Sequence, residues 1–217
     1  MKSKKLSMFV MTGMIALAAS TLQAQLALNL SMSATASIQQ DAVTVGDTTT
    51  IANPKNIKVD TKAILARLAQ DKNNGVSFPS GAKLALLTDG GGIKVVDKTG
   101  LELADVSDIM HFELGDEYSH VNSGKENSTT GARSTKTMFI GTLNFDDGSI
   151  AFSLTGLVTA SNSDSAYKTD SLGRTSQTRS ISGSMKSGSG TGHDDEGSAG
   201  VISGGMSASG KAIIVQQ

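Results

Sequence analysis

Residues 26–38 read Leu-Ala-Leu-Asn-Leu-Ser-Met-Ser-Ala-Thr-Ala-Ser-Ile, and their alternation decides the fold class. Leu26, Leu28, Leu30, Met32, Ala34, Ala36 and Ile38 share one parity, while mainly small or polar residues fill the other. Successive side chains of a strand point to opposite faces, so this pattern predicts a strand with one side in a core and the other in water.

The same period returns further along the chain. Thr137–Phe145 and Ile150–Ala160 flank Asp146-Asp147-Gly148-Ser149, a connector of hairpin length, with Phe139, Leu143, Phe145, Phe152 and Leu154 as the apolar contacts. Shorter strands are predicted at Lys83–Thr88, Ile93–Asp97, Leu101–Leu103 and Ile109–Leu114, with Ala104–Asp108 as a helical turn; Asp89-Gly90-Gly91-Gly92 and Lys98-Thr99-Gly100 punctuate them. One segment has another period. Within 61–72, Ile64, Leu65, Leu68 and Ala69 recur at helical spacing, with Asp60 or Thr61 placed to cap the start and Asn73-Asn74-Gly75 to end it. Connectors between successive strands are too short for crossover helices. The expectation is therefore a mainly β (α+β) fold, a largely antiparallel sheet or sandwich with one amphipathic helix. Two polar segments, 115–136 and 161–174, read as loops, and neither marks a change of composition, so 25–217 is expected to be a single β-rich domain.

Ahead of that domain, Lys2, Lys4 and Lys5 form a positive start, Leu6–Ala19 an apolar run, and Ser20-Thr21-Leu22-Gln23-Ala24 a small-residue exit. That order is the signature of a secretory signal peptide over 1–24, with cleavage after Ala24 and the mature chain destined for the periplasm, the cell surface or the medium. The apolar run is shorter than the roughly 20 residues of a spanning helix, and no later stretch is long enough to make one. Cleavage would remove three lysines and no acid, leaving a mildly acidic chain of sixteen basic and twenty acidic residues.

Composition narrows the functional classes. Glycine, serine and threonine make up 74 of 217 residues, aromatic residues are 4%, and there is neither Cys nor Trp, so no disulfide, thiolate metal site or cysteine nucleophile exists. A net charge of −1 opposes a general nucleic-acid footprint, and two tyrosines, Tyr118 and Tyr167, offer little for stacking sugars or bases.

Few clusters carry chemistry. His111, Glu113, Asp116 and His120 fall within Met110–His120; imidazole and carboxylate suit Zn, Ni or Mn, but the spacing is not that of the helical His-Glu-x-x-His motif, and a strand with a polar outer face explains it as well. His193-Asp194-Asp195-Glu196 sits in a Gly/Ser stretch and lacks the alternating ligands of a calcium loop. Ser80-Gly81-Ala82-Lys83 and Lys98-Thr99-Gly100 match fragments of penicillin-recognising serine enzymes, but they lie too close in sequence and no Ser-Asp-Asn triplet accompanies them. Gly90-Gly91-Gly92-Ile93-Lys94 and Ser123-Gly124-Lys125-Glu126 lack phosphate-loop spacing. The sequence thus assigns no catalytic, cofactor-binding or metal-binding residue.

A short repeat closes the reading. Ile181-Ser182-Gly183-Ser184-Met185 recurs as Ile202-Ser203-Gly204-Gly205-Met206, which predicts a hairpin turning at His193 and Asp194, with Ile181 opposite Met206, Gly183 opposite Gly204 and Met185 opposite Ile202. The amphipathic helix is expected to cover the apolar side of that hairpin. The function these features favour is an exported, non-enzymatic structural or interaction protein of a bacterial envelope or extracellular layer, its partners other envelope or matrix components. A small outer-membrane β-barrel is the alternative, and an exported hydrolase or metal-dependent enzyme using His111, Glu113 and His120 the third reading.

Overall fold

The structure, a computed structural model, describes residues 27–39, 43–45, 47–50, 53–88, 90–119, 125–194 and 197–216. The leader reading of 1–24, His120, Asp195 and Glu196 lie outside the described residues.

Twelve strands form one antiparallel sheet. Its backbone is β1 (Ala27–Ile38), β5 (Lys83–Leu87), β6 (Ile93–Val96), β7 (Glu102–Asp105), β8 (Met110–Ser119), β10 (Ala132–Asp146), β11 (Ile150–Asp164), β13 (Thr175–Asp194) and β14 (Ala199–Gln216), in the order β7-β6-β5-β1-β14-β13-β11-β10-β8. Three short strands join it from the side: β4 (Lys55–Asp60) on β1, β9 (Lys125–Asn127) on β10 and β12 (Lys168–Thr169) on β13. A separate small hairpin pairs β2 (Val43–Val45) with β3 (Thr48–Thr50). None of the described helices is long and apolar enough to cross a membrane.

The alternation in 26–38 translates directly into β1, where Leu28, Leu30, Met32, Ala34 and Ile38 are buried. One long edge of β1 pairs with β14, and the other is shared, β5 covering Ala27–Leu30 and β4 covering Ser33–Ile38. In the gap between those partners, the Thr61 hydroxyl accepts from Met32 N at 2.9 Å. Thr61 opens α1 (Thr61–Lys72), and Asp60 is its cap, accepting from Ala63 N at 2.8 Å. Asn73 closes the helix, followed by Asn74 and Gly75 at positive φ. The helix packs over β1, β4 and β5, and its buried Ile64 and Leu68 belong to the core that also holds Met185, Ile202 and Met206. At its far side, Arg67 reaches the β10–β11 turn and pairs with Asp147 at 3.0 Å. Lys72 pairs with Asp108 at 2.7 Å, before β8.

The sheet curls until its two ends meet. Gly92 makes an antiparallel bridge to His111, and Phe112 N donates to Gly91 O at 2.9 Å. Across the middle, the long strands bend at a line of glycines: Gly141 pairs with Gly156, Gly188 pairs with Gly204, and a Cβ on Gly156 would lie 2.9 Å from the Gly188 Cα. Register shifts occur at the same level, between Thr155 and Val158 in the β11–β13 ladder and between Met185 and Gly188 in the β13–β14 ladder. These are β-bulges, which bend a strand and sharpen its twist. Above the line, Phe139, Val158, Met185, Met206 and Met32 form one inward row; below it, Phe145 stacks on Phe152 with ring centroids 5.2 Å apart.

Several expectations need correction. The β13–β14 hairpin exists, with Met185, Ile202 and Met206 all buried, but Met185 faces Met206 and Gly188 faces Gly204. The turn lies further along than expected because the Asp194 carboxylate accepts from Ser198 N at 2.8 Å and Gly197 takes φ +78°; the last pair is His193 with Ala199. The polar stretches are not loops throughout. β8 continues to Ser119, β10 begins at Ala132 and β11 runs to Asp164, because ladder bonds are made by backbone and these polar residues have strands beside them. β4, within another polar stretch, is held in the same way.

The seam gives a matched pair of substitutions. A Cβ on Gly91, at φ +72°, would sit 1.9 Å from Phe112 O, whereas one on Gly90, at φ +80°, would meet nothing within 4 Å. Gly90→Ala is expected to cost about 1 kcal/mol in backbone strain alone. Gly91→Ala adds the clash and the lost closing bond, about 3 kcal/mol or more. Urea midpoints of the two variants check this; equal losses would remove the seam from the account.

Candidate functional site

On β8, His111 and Glu113 share the outward face, two residues apart, and His111 Nε2 lies 3.0 Å from Glu113 Oε1. Across the ladder, Asn144 stands opposite His111 with its Nδ2 3.3 Å from the same ring nitrogen, and Ser153 donates to Asn144 Oδ1 at 2.6 Å. One nitrogen cannot donate to Glu113 and accept from Asn144 at once, so the tautomer selects between the two contacts. Both side chains of the pair are solvent-exposed, 41% for His111 and 63% for Glu113. The Asp116 side chain and His120 lie outside the described residues, and among the described residues no group of three His, Asp or Glu is arranged to hold a metal. His193 Nδ1 lies 3.3 Å from Asp194 O at the end of β13. Lys98-Thr99-Gly100 forms a tight turn rather than a strand, its Thr99 hydroxyl donating to Asp97 at 2.6 Å.

Two arrangements were not anticipated from the sequence. The first is ionic and inward. Asp164 on β11, 1% exposed in its side chain, accepts from Arg179 Nε at 2.7 Å and Nη2 at 2.9 Å, and from Arg133 Nε on the opposite neighbour strand. Gln177 closes the same end, donating to Gly131 O and Ser165 O at 2.8 and 2.9 Å. The signal was present in principle, since Arg133, Asp164 and Arg179 fall in one cross-strand row, but reading it needs the register.

The second arrangement is the outward face. Reading across the ladders, Asn29, Ser209, Ser182, Ser161 and Lys136 form one row, and Ser31, Ser207, Ser184, Thr159 and Met138 the next. Over β1, β14, β13 and β11 the outward positions carry no Asp or Glu, although the chain has 20 such residues. Adjacent hydroxyls touch in places, as Thr142 and Thr155 do at 2.9 Å. Between Lys136 and Lys186 the face dips into a shallow depression of about 420 Å³, floored by Gly183 and Ala208 and flanked by serines. Among the described residues neither lysine has an ion pair.

Compared with protein families, with curated proteins and with solved structures, the chain matches none.

Two outcomes follow from these geometries. Burial pushes the Asp164 carboxyl up, but its hydrogen bonds to Arg179 and Arg133 outweigh burial and hold it below the ordinary value of 3.8. A depressed folded pKa supplies stability above the unfolded value, and that stability fades as pH falls through the folded one. Asp164→Asn leaves Arg179 buried without its counter-charge and is expected to cost about 3–5 kcal/mol at neutral pH, with a flatter decline below about pH 4 than the parent. Urea titrations from neutral to acid pH measure both. For His111 and Glu113, elemental analysis is expected to find no stoichiometric zinc, because ordering an exposed pair and its remaining ligands opposes coordination; zinc near one equivalent, lost in His111→Ala, would reverse that expectation.

Proposed function

We propose that this is an exported, non-enzymatic interaction protein of a bacterial envelope or extracellular layer, and that the outward face of β1, β14, β13 and β11 is its working surface. The observation that carries the reading is the polarity of the sheet. Most of its apolar side chains turn inward onto one core with α1, and the outward positions of β1, β14, β13 and β11 present mainly hydroxyls and lysines without carboxylates, with Leu157, Val201, Ile213 and Val215 as the large apolar exceptions. A lipid-embedded barrel needs the reverse, an apolar band facing outward. His111 and Glu113 stand in solvent on a strand, where a general base gains little from desolvation, which weighs against an enzyme built on them. Export rests on the charged, apolar and small-residue order of 1–24.

Cell fractionation tests the proposal. Release by osmotic shock or into the medium, with Gln25 as the N-terminal residue, is the expected outcome. Retention in detergent-extracted outer membrane, or Met1 intact on the released protein, would overturn it.

A further inference from the structure

We infer that the depression between Lys136 and Lys186 binds an acidic polysaccharide, a hydroxyl-rich chain bearing carboxylate, sulfate or phosphate groups. The inference rests on the reading of the outward face as an interaction surface, and it names the ligand class.

The walls and floor of the depression define the chemistry. Small side chains, Ser161, Ser182, Ser184 and Ser207, leave the floor low, and two long cationic side chains rise at its ends. Among the described residues those serine hydroxyls make no hydrogen bond within the protein, so each is available as both donor and acceptor. A ligand that is itself covered with hydroxyls satisfies such groups reciprocally. Among the described residues no carboxylate lines the depression, which sets its two positive charges apart from the described acids. In a chain of net charge −1, that segregation gives an anion the one sign it needs.

Geometry selects an extended ligand. Lys136 lies two strands from β13, and Lys186 four residues along β13 from the Ser182 that shares the Lys136 row. Ideal sheet dimensions put their Cα atoms roughly 16 Å apart. Charges so spaced suit a short run of sugars carrying an acidic group towards each end. Lysines act as point charges without the planar fork of arginine, which fits carboxylate and sulfate groups on a flexible chain. The described lining of the depression offers the alternatives few partners. Single-stranded nucleic acid uses aromatic platforms for its bases, and among the described residues no aromatic residue lines the depression. A membrane surface calls for large apolar side chains to insert, and the described lining is serine, threonine and lysine over Gly183 and Ala208.

Binding of the purified full-length mature protein to immobilised polygalacturonate, dextran sulfate, neutral dextran, duplex DNA and phosphatidylglycerol vesicles, at low ionic strength, tests the inference. Retention on either acidic polysaccharide and not on neutral dextran is expected. Lys136→Gln with Lys186→Gln should weaken retention about tenfold, while Lys55→Gln with Lys168→Gln, an equal change in net charge elsewhere, should leave it intact. Polygalacturonate against dextran sulfate tells carboxylate from sulfate as the favoured group. Equal weakening by both double variants, no retention on any acidic polysaccharide, or stronger retention by DNA or vesicles would overturn the inference. A secreted protein that binds none of these probes would sink the ligand class alone, because export is judged by fractionation.

Discussion

The room left by the missing side chains of Gly141, Gly156, Gly188 and Gly204 is the constraint on which the rest of the molecule depends. A Cβ on Gly204 would lie 2.4 Å from the Ala34 Cα and one on Gly156 2.9 Å from the Gly188 Cα, while at Gly188 and Gly141 the space is taken by the Met185 sulfur and the Phe112 ring, each 2.5 Å from where a Cβ would sit. Fifteen- to twenty-residue strands such as β10, β11 and β13 would otherwise form a broad open sheet with an apolar face too large for one twelve-residue helix to cover. Bending at the glycines folds that face onto itself. Phe112, Phe139 and Phe152 then share a core with Leu68 and Ile64, and the two ends of the sheet approach closely enough for the Gly91–Phe112 bond.

The two ends of the long strands are closed by different forces. Towards the β10–β11 turn, α1 covers an apolar interior, and Arg67 with Asp147 ties it to the hairpin. Towards the opposite end the inward rows become polar. There Asp164 is held between Arg133 and Arg179 across three adjacent strands, and the same contacts hold β10, β11 and β13 in one register. A buried ionic cluster adds less net stability than an apolar replacement of equal volume, but it penalises any slip that separates its members. Register is the property this end needs, because serine- and glycine-rich strands specify pairing weakly by themselves.

Period two made the fold class legible, and the pattern around Leu28, Leu30 and Met32 carried over to the core unchanged. The helix was equally readable, since Ile64, Leu68 and Ala69 lie on one face between a capping Asp60 and Gly75. What the sequence hid was the change of parity within one strand. On β13, Gln177, Arg179 and Met185 face inward, and after the bulge at Lys186 and Ser187 the buried position is Gly188. A register drawn with a single parity therefore cannot follow the whole hairpin. Strands such as β9 and β12 were invisible for another reason: they are held by backbone bonds to a neighbour, and their side chains bear no pattern. The His111–Glu113 pair was visible as a motif, whereas the Lys136–Lys186 depression is assembled from separate strands and becomes readable only with the ladder.

The same logic explains why an overall charge near zero says so little about the outer face. Among the described residues, several carboxylates cap turns of the backbone. Asp97 accepts from Thr99 N and Leu101 N, Asp147 from Ser149 N and Ile150 N, Asp170 from Leu172 N and Arg174 N, and Asp194 from Ser198 N. Short polar side chains that can bond their own following amides are the residues such turns favour. With these acids at the turns, the outward positions of β1, β14, β13 and β11 are left mainly to hydroxyls and lysines, beside Leu157, Val201, Ile213 and Val215, and the positive sign there follows in part from how the turns are made. A sheet whose aspartates sit on connectors can leave the outward positions of its central strands free of acids without any excess of basic residues, and among the described residues the cations at the depression are Lys136 and Lys186.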